Sequence, residues 1–204
     1  MGKGQKPLVF LACLAPFLYL LWQLLQNNLG PDLGEALSKE TGEWTLRLLI
    51  ITLAVTPLQK VTGIKLVNKY RRMIGLFALF YACVHFLSYL MFILGFRWAT
   101  LYQEILERPY ITVGFSAFLI LLVLGITSPK VMLRKLGKNW KRLHRLIYLA
   151  AILAMIHMIW ILRSDFGEAL LYGLMVALLF GYRLFDSWRR KSWLKRSIRH
   201  THSA

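Results

Sequence analysis

Acidic residues are scarce in this 204-residue chain, and cysteines are scarcer still. Nine Asp and Glu stand against 26 Lys and Arg, which gives a net charge of +17, and only Cys13 and Cys83 carry a thiol. Two cysteines inside apolar stretches exclude a secreted disulfide scaffold and are typical of buried free thiols. Zinc-finger spacings and nucleic-acid stacking motifs are also missing, so the basic character of the chain does not indicate a nucleic-acid partner.

Apolar residues, in contrast, make up 57% of the sequence. They concentrate in six segments long enough, or nearly so, to cross a hydrocarbon core of ~30 Å, which takes ~20 helical residues. The predicted spans are 8–26, 45–61, 73–95, 110–128, 145–162 and 168–186. We therefore predict an all-α integral membrane protein, a six-helix transmembrane bundle over 1–188 followed by a basic tail over 189–204.

The connecting segments alternate in charge and so predict the orientation. The net charge is −3 over 27–44, +5 over 58–72, zero over 96–109 and +7 over 129–145, and the tail is strongly basic again. Basic loops face the cytoplasm in multi-pass proteins. Both termini are therefore predicted to be cytoplasmic.

Ionisable side chains are almost absent from the interiors of the predicted spans. The second span has only Arg47, near its outer end, and His85 and His157 are the only ionisable residues deep inside. Counted from Met73 and from Arg145 at 1.5 Å per residue, both histidines lie ~18 Å from the cytoplasmic face. A single intramembrane histidine is often an interhelical hydrogen-bond partner, but two facing imidazoles are what a six-coordinate heme iron needs.

A second level is predicted near the cytoplasmic rim. Arg71 lies fourteen residues before His85, four helical turns within ~40°, so these two side chains share a face. His144 lies thirteen residues before His157, ~140° away on an ideal helix, so the fifth span must bend, bulge or frame the cofactors with its sides. Arg71 stays protonated and suits a heme propionate better than iron, and a role as a surface anchor remains open. An interfacial role without a metal remains open for His144.

A pocket for a flat cofactor needs space and an aromatic lining. Gly75 and Gly114 allow close approach, and Trp140, Tyr148 and Trp160 are candidates for the lining or for interfacial belts. No CxxCH motif occurs, so any heme is held without covalent bonds, as heme b.

Three stretches carry a family resemblance. "YRRMIGLFALFYACVHFLSY", "ERPYITVG" and "KLGKNWKRLHRLIYLAAILAMIHMIW", in this order and spacing, closely resemble the MsrQ (formerly YedZ) family. These are heme-binding membrane subunits of the bacterial periplasmic methionine sulfoxide reductase system. The resemblance covers essentially the whole chain and implies a ferric-reductase-like domain in the bacterial inner membrane. It implies heme ligands at His85, His144 and His157, with Arg71 complementing His144. One or two hemes b are implied, and FMN as a further cofactor, for which the sequence shows no site.

The same resemblance implies a function in electron transport. Electrons would pass from the quinone pool or a cytosolic flavin reductase to MsrP, a periplasmic molybdenum enzyme that reduces methionine sulfoxide in oxidised proteins. The chain would then be an electron-transfer subunit, with the substrate chemistry in its partner. No GxGxxG or comparable phosphate loop occurs, so electrons must be delivered to it.

Two other classes of function compete with electron transport. A proton-coupled transporter would use His85 and His157 as a relay, although relays usually recruit carboxylates, which the interiors of the predicted spans lack. A scaffold protein would tolerate the loss of both histidines.

Overall fold

The computed structural model describes residues 5–63, 66–162 and 166–201, with side chains for all of these except 66–68 and 190–201. Within these ranges the chain forms nine α-helices and no strand. The helices are α1 Gln5–Leu25, α2 Leu33–Thr62, α3 Leu66–Ser88, α4 Trp98–Glu107, α5 Pro109–Ile126, α6 Lys130–Leu136, α7 Lys138–Leu143, α8 Leu146–Ile161 and α9 Gly167–Thr201. Six helical segments here are long and apolar enough to cross a membrane. The predicted all-α, six-span architecture is confirmed.

The second span begins well before its predicted start. We expected a loop over 27–44, but α2 starts at Leu33 and continues for 30 residues. The Asp32 side chain caps it by accepting a hydrogen bond from the backbone N–H of Glu35 at 2.8 Å. Gly63 ends the helix with a φ of 73°, a left-handed conformation that glycine adopts without steric cost. The prediction of a loop is therefore wrong for 33–44. The polar residues of this segment lie on the outer part of helix α2.

Tyr81, fully buried in α3, joins α1 to the rest of the bundle. Helix α1 contains Pro16, which interrupts regular helical hydrogen bonding. The Tyr81 hydroxyl donates to the carbonyl of Cys13 at 2.9 Å and accepts from the N–H of Phe17 at 2.9 Å. It therefore stands between two groups that would bond to each other in an uninterrupted helix.

The third span changes geometry near its outer end. Helix α3 passes into a π-helical turn, Tyr89–Ile93, and the chain then reverses through Gly95 and Phe96, both with a φ of 57°. Helix α4 follows, inside a segment predicted to be a loop. Its residue Leu101 is buried against the π-helical turn, whereas Trp98 is exposed. Short π-helical segments widen a helix and are frequent beside functional sites.

The basic segment before the fifth span is helical and interrupted. Gly137, with a φ of 51°, separates α6 from α7. Helix α7 ends at Leu143, and His144 and Arg145 form a turn before α8 begins. Of the three alternatives predicted for this span, a bend, a bulge or framing of the cofactors with its sides, the structure shows a bend, because His144 and His157 do not share one continuous helix.

The central core joins four helices. The most extensive helix contacts are between α2 and α3 and between α5 and α8. One buried cluster brings the two pairs together: Leu49, Leu53, Ala82, Leu121, Ala150 and Ala151. Adjacent alanines on α8 permit a close approach of neighbouring helices. Helices α3 and α8 do not pack extensively against each other in the described chain. Long side chains must therefore span the distance between these two helices.

Helix α9 is longer than a membrane crossing requires. Its 35 residues would extend ~52 Å, against a hydrocarbon core of ~30 Å. The backbone of the predicted tail therefore continues the helix as far as Thr201. Residues 202–204 lie outside the described residues, and the predicted boundary at 188 stays a prediction.

Candidate functional site

His85 and His157 face each other across the space between α3 and α8. Their ring centroids are 6.2 Å apart, and the ring planes are nearly perpendicular at 83°. Both residues lie towards the end of the bundle opposite the basic segments, one turn or so before their helices leave regular α geometry. The common depth predicted for these two residues is confirmed.

A backbone carbonyl orients each ring. Nδ1 of His85 donates to the carbonyl oxygen of Ser38 on α2 at 2.8 Å, and Nδ1 of His157 donates to that of Tyr110 on α5 at 2.7 Å. A carbonyl oxygen only accepts, so the proton of each neutral ring is on Nδ1 and the lone pair is on Nε2. Histidines that ligate metals commonly have this arrangement, because the second hydrogen bond fixes the tautomer and raises ligand basicity.

Two glycines allow the neighbouring helices to approach the imidazoles. A Cβ atom at Gly42 of α2 would lie 3.1 Å from Nδ1 of His85. A Cβ atom at Gly114 of α5 would lie 2.5 Å from Nδ1 and 2.6 Å from Cε1 of His157, closer than real atoms pack. The predicted close approach at Gly114 is therefore observed, and it confines the ring of His157. Gly75 instead lies near Thr52, whose Cγ2 would be 3.5 Å away.

The separation of the two rings fits axial ligation of one iron. A bond from a metal to an imidazole nitrogen is about 2 Å, so two rings ligating opposite sides of one ion have centroids roughly 6 Å apart. No group of three or more His, Cys, Asp and Glu that could hold a metal occurs among the described residues. A bare ion would lack ligands, whereas heme brings its own four nitrogens and needs two from the protein. The buried Oγ of Ser38 also has no partner in the described chain, leaving a hydroxyl for a bound polar group.

Polar contacts at the outer end hold Tyr110, whose backbone carbonyl orients His157. The hydroxyl of Tyr110 accepts from Nη1 of Arg108 at 3.0 Å. Arg108 Nε also pairs with Glu104 of α4 at 3.0 Å, and Glu104 accepts from the Tyr89 hydroxyl at 3.2 Å. The π-helical turn, α4 and the first turn of α5 are thereby joined. The sequence gives a partial signal for this join, because Pro109 directly follows Arg108 and fits the first turn of a helix.

The second span carries a buried carboxylate that was not predicted. Glu43 is 8% exposed, and its carboxylate pairs with Nη2 of Arg47 at 2.6 Å. Nε of Arg47 donates to the Tyr172 hydroxyl of α9 at 2.7 Å. The expectation that Arg47 is the only ionisable residue of this span is wrong, because the helix begins earlier. The pair compensates charge that would be costly to bury alone.

His144 lies at the basic end, in different surroundings. Its ring stacks on Trp140, with centroids 3.9 Å apart, and its Nε2 is 3.2 Å from Oγ1 of Thr127. Arg71 lies near enough for its charge to act on the His144 ring, and its Nη1 donates to Oγ1 of Thr56 at 3.2 Å. The structure therefore brings His144 and Arg71 into one region, and their roles as ligand and partner stay predictions.

The aromatic residues considered as lining lie in three different settings. Trp140 covers one face of His144. The Tyr148 hydroxyl accepts from Nη1 of Arg183 at 2.5 Å, on the side of α8 that faces α9. Trp160 is 55% exposed on the apolar outer surface, so it is placed for an interfacial belt and does not line the histidine pair. Sequence reasoning missed Ser38, Gly42, Tyr110 and Arg183.

Comparisons with known proteins agree with this arrangement. The ferric reductase-like transmembrane component family matches residues 41–155, which include His85 and His144. A protein of Xanthomonas axonopodis pv. citri (strain 306), named as the protein-methionine-sulfoxide reductase heme-binding subunit MsrQ, is 46% identical over 97% of this chain and 90% of its own. A protein of the same name from Polaromonas naphthalenivorans (strain CJ2) is 43% identical over 93% of this chain and 88% of its own. No solved structure gives a significant match.

These matches extend over nearly the whole chain and include the helices that carry the histidine pair. The chain belongs to the ferric reductase-like transmembrane family and, within it, to the MsrQ subunits.

Proposed function

We propose that the chain is an electron-transfer subunit that binds heme b between α3 and α8, with His85 and His157 as axial ligands. The observation that carries this proposal is the imidazole pair, with each Nδ1 bonded to a carbonyl and the ring centroids 6.2 Å apart. His85 and His157 would hold the bound heme, which would supply an iron that changes oxidation state, and ligation by two protein side chains suits electron transfer better than oxygen binding. The names of the relatives, which mention heme binding, support the same conclusion.

The protein's own groups have defined tasks in this proposal. The carbonyls of Ser38 and Tyr110 hold the two rings in one tautomer and orientation, which lowers the reorganisation required when the iron changes charge. Gly42 and Gly114 let α2 and α5 close over the rings. The apolar cluster around Ala150 separates this level from His144 and limits water between the two levels.

A second cofactor level at His144 and Arg71 would place an electron carrier near the cytoplasm. Arg71 would neutralise a heme propionate, because its guanidinium remains protonated. The chain would bind two hemes if this level is occupied as well as the outer one, and one heme if it is not. The proposal that FMN is a further cofactor is based on the family resemblance alone.

The direction of transfer follows from the family and from the charge pattern. We propose that the basic end faces the cytoplasm of a bacterial inner membrane. Electrons would enter from the quinone pool or a cytosolic flavin reductase and leave at the outer level, beside the periplasm. The acceptor would be the molybdenum enzyme MsrP, and the system would repair oxidised periplasmic proteins.

A proton-coupled transporter remains the second candidate because of one observation. Glu43, next to the Gly42 that touches the ring of His85, is a buried carboxylate of the kind that proton relays recruit. Such a transporter would give pH-dependent flux and would need no coloured cofactor.

The optical spectrum of the full-length protein separates the two candidates. We expect detergent-solubilised protein, made with ample heme, to have a Soret band that shifts when dithionite reduces it. Reduced protein should then be reoxidised by MsrP only when methionine sulfoxide is present. A colourless preparation would disprove heme binding, and a coloured one that MsrP does not reoxidise would disprove the proposed acceptor.

At the inner level, we expect His144→Ala to lower heme content more than Arg71→Ala does. The imidazole can supply a nitrogen to iron, whereas the guanidinium contributes charge and stays protonated. Heme per chain, measured as the pyridine hemochrome, checks this order. Lys69→Ala is the control, since it removes an exposed cation from the same helix as Arg71. Complete loss of one heme from Arg71→Ala alone would indicate that the arginine ligates iron.

A further inference from the structure

A cavity of about 520 Å³ lies at the basic end of the bundle, between the ends of α2 and α9 and the start of α8. Three cations, Lys60, Arg145 and Arg183, line it together with one carboxylate, Asp186. Lys60 and Asp186 pair with each other at 2.5 Å. The side chains that line the cavity therefore carry a net charge of +2, which an anionic ligand would neutralise.

Arg183, one of the lining cations, is held in place by groups of the protein itself. Nη1 of Arg183 donates to the Tyr148 hydroxyl at 2.5 Å, and Nη2 donates to the carbonyl of Leu53 at 2.6 Å. The guanidinium also lies over the Tyr148 ring, 5.0 Å from its centroid. Its Nε is buried and has no hydrogen-bond partner among the described residues. A pre-oriented cation costs little entropy when it binds an anion.

The second cation is free to move towards a ligand. Arg145 is exposed, in the turn before α8, and its guanidinium takes part in none of the hydrogen bonds or ion pairs found in the described chain. The basic residue Arg142, one turn earlier, is equally exposed but does not line the cavity. Arg145 is therefore connected with this site by its position in the lining, and not only by the basic character of its segment.

Part of the remaining wall is apolar and continues onto the exposed apolar surface of the bundle. Phe180 and Leu184 of α9 line the cavity, and Leu184 is 73% exposed. Leu58 and Val61, on the neighbouring end of α2, are also exposed, at 48% and 73%. A ligand that fits must therefore combine an anionic head with apolar chains lying along the bundle. Basic pockets between transmembrane helices on the cytoplasmic side recognise lipid head groups in this way.

We propose that this cavity binds the head group of an anionic phospholipid from the leaflet at the basic end of the bundle, and that a lipid with two phosphates binds best. Its phosphates would contact Arg145 and Arg183, and its acyl chains would lie on Leu184 and Leu58. The site would fasten α2, α8 and α9 together. It does not depend on heme, and it would be retained if the histidine pair had another role.

Native mass spectrometry of the delipidated full chain tests the proposal with three probes: cardiolipin, phosphatidylglycerol and phosphatidylcholine. We expect the wild type to retain cardiolipin most strongly and phosphatidylcholine least. Arg145→Gln should weaken cardiolipin binding by about fivefold, the effect of one cation near a lipid surface. Arg142→Gln is the matched control and should leave binding unchanged. Equal binding by the two variants, or equal retention of all three lipids, would overturn the proposal.

Two further measurements separate a lipid from the other anions that such a cavity can hold. Inorganic phosphate and FMN are added to the delipidated chain, and thermal unfolding is followed. If either raises the melting temperature as much as cardiolipin does, the ligand is a soluble phosphate and the proposal fails. Heme per chain is measured in Arg145→Gln as well. A fall in heme with unchanged lipid binding would assign the cavity to heme carboxylates instead.

Discussion

His157→Ala is expected to remove the heme of the outer level. Alanine has no nitrogen donor, so it cannot replace the imidazole as a ligand. With His85 alone, the iron would keep one axial ligand and lose the six-coordinate state. Heme per chain should fall by about half if two levels are occupied, and nearly to zero if only the outer level is occupied. The pyridine hemochrome assay and the reduced-minus-oxidised spectrum measure both quantities.

Two controls separate loss of a ligand from loss of the fold. Trp160→Ala removes a larger side chain from the same helix, at an exposed position, and should leave heme content unchanged. His157→Gly leaves space for a free imidazole, so added imidazole should restore part of the Soret absorbance. His85→Ala should behave as His157→Ala does. Full heme content in both histidine variants would disprove ligation by this pair.

The pairing of His85 and His157 could be predicted because it depends on simple geometry. Hydropathy gives an approximate start for the third and fifth spans, and the helical rise converts residue number into depth. The mismatch between His144 and His157 could also be predicted, since thirteen residues do not return to the same helical face, but the spacing left open whether the helix bends, bulges or frames the cofactors with its sides. These quantities are properties of a helix in a bilayer and do not depend on the details of side-chain packing.

The start of α2 could not be read from hydropathy. Residues 33–44 are too polar to count as membrane-spanning, yet they continue the helix because Asp32 caps it and no residue interrupts it. Glu43 is then buried by the helix geometry and compensated by Arg47. Hydropathy averages the residues of a window, so it does not register a charge that a partner four residues later neutralises.

The groups that orient the two histidine rings could not be predicted from the sequence either. The acceptors are the backbone carbonyls of Ser38 and Tyr110, and a carbonyl is present at every residue, so residue type gives no signal. Helix α4, in contrast, could have been found. Trp98, Leu101 and Ile105 follow helical spacing in a segment interpreted as a loop because it connects two predicted spans.

Gly114→Ala is expected to disturb the outer site nearly as much as the loss of a ligand, although it adds only a methyl group. The new Cβ would lie 2.5 Å from Nδ1, 2.6 Å from Cε1 and 2.9 Å from Cγ of His157, so the ring must move. Movement breaks the bond from Nδ1 to the Tyr110 carbonyl, and the ring then loses the contact that fixes its tautomer. Losing such an orienting contact typically costs about 10–100-fold in metal affinity.

The measurement for Gly114→Ala is heme affinity, from titration of the heme-depleted protein, together with the midpoint potential of the heme that remains. Gly75→Ala is the matched control, because its Cβ would meet Thr52 at an ordinary 3.5 Å and should leave both quantities unchanged. Gly42→Ala, at 3.1 Å from the ring of His85, should have an intermediate effect. The predicted order is therefore Gly114, Gly42, Gly75, which follows how closely each glycine approaches an imidazole. A change in melting temperature without this order in heme affinity would mean that the glycines serve helix packing alone, and that the imidazole orientation does not depend on them.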